Sequence, residues 1–301
     1  MWKIASQFVD GFVLAFHSIP GIQLEAAVDG LSRREIVPLS ELLARNNNGL
    51  KTSGLCAITV DDGVGDNVRS LAAVFEKRQW PATFYLPTRY LDSREGMPFQ
   101  LWQSILPQLP RRVLRLSSET IDLAEAGGIE KLTKRVSQLL HRSHSNVYEP
   151  LFKELAQLLV AEGHVRPETM TAPAPITWTE VSELAKSGLV SFESHGVSHT
   201  AVAALDEQEL NFEMQHSRNL ISDHTGRPCR HFAYPYGSPL SISASAITCA
   251  RRFYDSAVTM TLGPVRNANP WYMPRIPIYP SNSVTRARLK VLLKCTAVTT
   301  V

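Results

Sequence analysis

Apolar residues along the chain fall into two alternating kinds of run. Short, nearly continuous apolar stretches occupy 11–16, 55–60, 82–86, 189–193, 231–234, 255–260 and 273–278. Runs this short, bounded by turn-forming residues, predict strands buried on both faces, as in a parallel sheet. Between them lie longer segments with apolar residues every three to four positions, at 40–45, 66–78, 129–141, 148–162, 177–187, 206–224, 241–252 and 284–294. That spacing predicts helices with one buried stripe. In 66–78 the stripe is Val68, Leu71, Val74 and Phe75. Thr177 with Glu180 reads as a capping box, and Gly188 as the stop that follows. Asp206 reads as the cap of the next helix, with Gly226 and Pro228 ending it. Strand–helix alternation of this kind predicts a parallel α/β architecture.

One stretch breaks the rhythm. From about Tyr90 to Ala174 the pattern is helical, without a strong strand, and it leaves through the Pro-rich Thr171–Pro175. It is too long for a plain connection between strands. It reads as a helical insertion of about 90–175 in a single domain of 1–301, forming a wall or lid over one end of the sheet.

Composition then narrows the function. With 301 residues, 44% hydrophobic and 20% charged, the chain is an ordinary globular protein. The formal net charge of +3 carries no nucleic-acid footprint. Cys56, Cys229, Cys249 and Cys295 are too scattered for a disulfide framework or a CxxC metal site, and suit a reducing compartment. No run approaches a membrane span. Asp10 interrupts the apolar N-terminal stretch, so no signal peptide is expected and the chain is expected in the cytoplasm. The basic, apolar segment Arg286–Lys294 suits either a packed final helix or peripheral contact with an anionic membrane.

Four strand ends carry candidate chemistry. The 55–60 run ends in Asp61-Asp62-Gly63. Such a pair is either a turn or a site, since carboxylates at a strand end need a partner. The 189–193 run is followed by His195-Gly-Val-Ser-His199. Two histidines four apart on a helical turn would project to one side, and with a carboxylate they can hold a divalent cation. The alternative is two unrelated surface histidines. The 231–234 run enters Tyr234-Pro-Tyr-Gly237, a turn able to aim a backbone N–H at a developing oxyanion, or simply a strand-ending turn. The 11–16 run ends in His17, which taken alone reads as a satisfied buried histidine.

Together these segments resemble the polysaccharide deacetylase family (carbohydrate esterase family 4, the NodB homology domain). Thr59-Val-Asp-Asp-Gly63 resembles its Thr-Phe-Asp-Asp-Gly motif, His195-Gly-Val-Ser-His199 its His-(Ser/Thr)-x-x-His motif, and Phe232-Ala-Tyr-Pro-Tyr-Gly237 a version of its third. Leu14-Ala-Phe-His17 and Met273-Pro-Arg-Ile276 are similar to the permuted branch that includes poly-N-acetylglucosamine deacetylases. The resemblance implies a distorted (β/α)7 TIM-like barrel and metal-dependent hydrolysis of an N-acetyl group on an amino sugar or glycan. It implies Asp62, His195 and His199 as metal ligands, Asp61 as general base, the Tyr236 N–H in an oxyanion hole and His17 as general acid. Zinc is the first expectation for the metal, with iron, cobalt or nickel as alternatives.

The chain departs from the family pattern at several points. Ala233 stands where the commoner third motif has Arg, no histidine follows His231, and the Trp-containing fourth motif is missing. Arg275 is the candidate replacement for that Arg, the alternative being a surface cation beside Pro274. His141 and His144 are expected on an exposed helix face. Tyr85, Tyr90, Trp178, Tyr234, Tyr236 and Trp271 are expected mostly in the core or rim, with sugar stacking as the alternative. Two other functions fit the same motifs: a deformylase or other amide hydrolase on a linked amino sugar, and a silent glycan-binding barrel. Without an export signal, a biosynthetic intermediate is the expected substrate rather than a finished polymer.

Overall fold

A computed structural model describes residues 10–31, 34–93, 96–163 and 173–279. Its strands, in chain order, are β1 (Phe12–Phe16), β2 (Glu35–Ile36), β3 (Leu55–Val60), β4 (Ala82–Leu86), β5 (Val113–Arg115), β6 (Thr120–Asp122), β7 (Val190–Ser194), β8 (His231–Ala233), β9 (Ser256–Val258) and β10 (Ile276–Pro277). One sheet runs β10-β1-β3-β4-β7-β8-β9, with β2 beside β3. Every pairing in it is parallel. Met273 bridges to Val258 of β9, and three residues later Ile276 pairs with Leu14 of β1. One short segment therefore touches both edges of the sheet and closes it into a barrel.

All seven expected runs are strands of this sheet. The last is shorter than expected because Pro274 and Pro277 have no N–H for the ladder. Alternate residues along each strand face opposite ways. Phe12, Leu14, Phe16, Ile58, Val60, Phe84, Phe192 and Phe232 pack outward on helical residues such as Val68, Leu71, Phe75, Val181, Leu210 and Met214. The other parity, including Val13, Ala57, Tyr85, Ala233, Val258 and Met273, forms a second core. The same parity brings buried Thr59, Thr83, Glu193 and Arg275 inward. Burial of both faces is why these strands read as continuous apolar runs.

The helices around the sheet follow their capping signals. Trp178–Lys186 and Glu207–Thr225 both start with complete capping boxes, Thr177 with Glu180 and Asp206 with Glu209. Gly226 takes the left-handed conformation that ends the second. Gly21–Gly30 lies outside the helical runs read from the pattern, since it begins and ends in glycine with no side-chain cap, whereas Pro98–Ile105, only eight residues long, falls inside the stretch read as helical.

The insertion is not purely helical, contrary to expectation. Beside Gly128–Arg142 and Ser145–Ala161 it contains an antiparallel hairpin of β5 and β6. Each strand has three residues and one buried side chain, Leu114 or Ile121, too short for alternation to register. The insertion builds its own core from Trp102, Leu114, Ile121, Val136, Tyr148, Phe152 and Leu155. Its exit packs on the β3 turn, since Gly65 N–H donates to Ala174 O and Ile176 N–H to Gly63 O, at 2.9 and 2.8 Å. Cys56, Cys229 and Cys249 are buried. The expected helix 284–294, with its basic face, and Cys295 lie outside the described residues. No described helix is long and apolar enough to cross a membrane.

Candidate functional site

The candidate residues gather where the strands end. His17 follows β1, Asp61 and Asp62 follow β3, His195 follows β7, and Tyr236 lies three residues after β8. Arg275 immediately precedes β10, on the segment that closes the barrel. Strand carboxyl ends are where parallel α/β folds build their sites, because loops from neighbouring strands converge there.

Asp62, His195 and His199 are all buried, and their ligand atoms lie within 4.8 Å of one another. His195 Nε2 is 3.7 Å and His199 Nε2 3.4 Å from Asp62 Oδ1. The His195 ring is oriented by Nδ1, which lies 2.7 Å from Ala233 O. That contact suits an Nδ1–H donor and leaves Nε2 free to ligate. The missing motif Arg thus leaves a backbone role for position 233 intact.

The two histidines do not share a helical turn, as the spacing suggested. Residues 195–200 form an irregular loop in which Gly196 has φ +80° and His199 φ +57°. This reversal sets the two rings edge to face, 4.8 Å apart. The loop's carbonyls are held from the turn after β4. Thr88 N–H donates to Gly196 O at 3.1 Å, Arg89 N–H to Val197 O at 3.0 Å, and the Tyr90 hydroxyl to Ser198 O at 2.9 Å.

The cluster fits a divalent cation on two observations. Asp62 Oδ1 is buried and has no hydrogen-bond partner, a costly arrangement that a cation would relieve. Burial works to raise the Asp62 carboxyl, but His199, His17 and His195 outweigh it and hold the group well below the usual range. Burial and the nearby His199 push the His195 imidazole down to about 4, so near neutral pH it is uncharged, as ligation requires.

Asp61, the adjacent carboxylate, meets different neighbours. Arg275 donates to both its oxygens, Nη1 to Oδ1 at 2.8 Å and Nη2 to Oδ2 at 2.7 Å. Arg275 is fully buried rather than a surface cation. Its three remaining donors meet Thr259 O at 2.9 Å, Thr59 Oγ1 at 3.0 Å and Met260 Sδ at 3.5 Å. Thr59 in turn donates to Leu14 O at 2.7 Å, tying the guanidinium to β1 and β3. Burial acts to raise the Asp61 carboxyl, and the Arg275 charge and hydrogen bonds more than reverse it. His17 Nε2 lies 3.8 Å from Asp61 Oδ2, with about a third of the side chain exposed.

Tyr236 joins the barrel to the insertion. Its ring sits 4.8 Å from His199, 5.0 Å from His141 and 6.3 Å from Phe99. Its hydroxyl interacts with that of Tyr148. His141 therefore packs against the site instead of lying on an exposed face. His144 caps Ser145–Ala161, accepting from Asn146 N–H. Tyr236 has φ +60°, and the carbonyl of the next residue, Gly237, accepts from Met260 N–H at 2.8 Å. Of the six non-glycine residues with positive φ among the described residues, three are Asp62, His199 and Tyr236. Each such conformation costs on the order of 1–3 kcal/mol, and its concentration here marks the site. Tyr85, Tyr90, Trp178 and Tyr234 are buried, leaving Tyr236 and Trp271 partly exposed. Sequence reasoning did not single out Thr59 or Tyr148 as supports; Thr59 opens the motif it was read in, whereas Tyr148 is visible only once the insertion is folded.

Solved structures share this fold at low identity. The deacetylase PplD of Streptococcus pyogenes, in complex with acetate, is 15% identical, with 94% of this chain and 98% of that one covered and a TM-score of 0.60. IcaB from Ammonifex degensii is 14% identical, with coverage of 95% and 98% and a TM-score of 0.61. A de-N-acetylase from Aggregatibacter actinomycetemcomitans is 14% identical, with coverage of 93% and 99% and a TM-score of 0.57. No curated protein matches the sequence. His17 and Arg275 lie outside the stretch that a family description matches. That stretch, residues 49–253, holds Asp61, Asp62, His195, His199 and Tyr236, and through it the chain belongs to the polysaccharide deacetylase family.

Proposed function

We infer that the chain hydrolyses the N-acetyl amide of an amino sugar in a glycan, releasing acetate and leaving a free amine. The observation that carries this reading is the division between two consecutive carboxylates. Asp61 is held by Arg275 through one hydrogen bond to each oxygen, whereas Asp62 presents an unpartnered oxygen to His195 and His199. An amide is a weak electrophile with a poor leaving group, and the residues gathered at the strand ends address both. A divalent cation held by Asp62, His195 and His199 supplies Lewis-acid polarisation of the carbonyl and a more acidic water when bound. One oxygen and two nitrogens suit zinc first, with iron, cobalt and nickel as alternatives.

Asp61, kept ionised and oriented by Arg275, takes a proton from the attacking water. The Tyr236 N–H donates to the carbonyl oxygen as it gains charge. His17 gives a proton to the amine nitrogen as the carbon–nitrogen bond breaks. The acetate in the PplD structure and the activity named for the Aggregatibacter protein support an acetyl group as the one removed.

Product analysis on paired N-acetyl and N-formyl amino sugars tests the acyl group. Acetate release from the N-acetyl member is expected. Formate release alone would make the chain a deformylase, and no release from any sugar, with glycan still bound, would make it a binding barrel. His17→Ala is expected to lose roughly 10²–10⁴-fold in amide turnover with metal content unchanged. The loss should be smaller on an activated ester, whose leaving group needs little protonation. Equal amide rates for wild type and variant would remove His17 from the mechanism.

A further inference from the structure

Helix Glu207–Thr225 buries Leu210, Glu213, Met214, Ser217 and Ile221 along one stripe. Glu213 is the charged member, only 7% exposed. A carboxylate among apolar neighbours is costly unless hydrogen bonds satisfy it. Its partners are two successive backbone N–H groups of the loop between the histidines. Val197 N–H donates to Oε2 at 2.6 Å, and Ser198 N–H lies 3.1 Å from Oε2 and 3.2 Å from Oε1. The preceding N–H, that of Gly196, donates at 3.1 Å to Ser194 Oγ, which is 2.7 Å from Ser217 Oγ on the same helix. A Cβ at Gly196 would come within 2.8 Å of Glu213 Oε2. The loop thus has its carbonyls tied to residues 88–90 and its N–H groups tied to this helix, with the Glu213 charge at the centre.

We propose that Glu213 is a positioning residue of the metal centre, acting through the backbone of Val197 and Ser198 to hold His195 and His199 in ligating geometry. This rests on the reading of Asp62, His195 and His199 as metal ligands. The strain at His199 gives the carboxylate its task. A left-handed residue persists only when its surroundings impose it, and the Glu213 bonds fix the 196–197 and 197–198 peptides that lead into His199. Charge-assisted bonds are roughly twice as strong as neutral ones, so the ionised carboxylate suits that task better than an amide.

The test is zinc affinity of the full chain by chelator competition, with the visible spectrum of the cobalt-substituted protein and the unfolding temperature of the metal-free protein. Glu213→Leu removes both acceptors and is expected to weaken zinc binding by roughly 10–100-fold and to change the cobalt bands. Glu213→Gln keeps one acceptor and is expected to fall between Leu and wild type. It decides the matter if the Leu variant does not fold. Wild-type affinity and cobalt spectrum in a folded variant, with only the unfolding temperature lowered, would make Glu213 merely structural and overturn the proposal. Failure of the wild type to bind zinc would instead overturn the ligand reading, and this proposal with it.

Discussion

Asp61→Asn is expected to lower amide turnover by roughly 10²–10⁴-fold while the protein keeps its metal. Asn preserves the shape of the side chain but cannot take a proton from water. The metal prediction separates the two carboxylates, because Asp62 and not Asp61 faces His195 and His199. Asp62→Asn should therefore lose metal along with activity. Metal analysis beside acetate release in both variants checks this. Loss of metal from Asp61→Asn but not from Asp62→Asn would mean that the two roles are reversed.

The second large effect is expected at Arg275. Arg275→Met leaves the Asp61 carboxylate buried without its partner, and breaking such a pair by removing one member costs about 3–5 kcal/mol. The pH dependence identifies the cause. In the wild type Arg275 helps hold the Asp61 carboxyl below its usual range, so the pair's stability is present above the unfolded value near 3.8 and is lost as pH falls through the lowered one. Without Arg275, burial is the largest remaining influence on Asp61 and raises its carboxyl. The variant is then stabilised by protonation at acid pH and loses that stability as pH rises. Its deficit against wild type should narrow on acidification in chemical unfolding at several pH values. Combining Arg275→Met with Asp61→Asn should recover part of the loss. A deficit that is constant with pH and additive in the double variant would show that Arg275 acts by packing alone.

The residues explain which parts of this arrangement were readable. Strands such as 55–60 and 82–86 stood out because both their faces are buried, while β2 and the β5–β6 hairpin are too short to carry a pattern. Asp61 and Asp62 were legible because two charges ending an apolar run require a partner. The His195–His199 spacing named the right residues for the wrong geometry: a separation of four fits a helix or a loop, and Gly196 was the cue for the loop. Contact between Arg275 and Asp61 joins positions 214 apart, and depends on barrel closure that no local signal encodes. His141, spaced three from His144 in a helical run, reads as exposed, whereas the Tyr236 turn, far along the chain, supplies its neighbour. Glu213 did leave a trace, as an acid in the stripe that includes Leu210, Met214 and Ile221.

The most direct measurement is acetate release from an N-acetylglucosamine oligomer by wild-type protein that has been stripped with a chelator and then given back one equivalent of zinc. The expected result is loss of acetate release on stripping and its return with zinc, with no return in an Asp62→Asn variant. Undiminished acetate release by the stripped wild type would contradict metal-dependent deacetylation at this site.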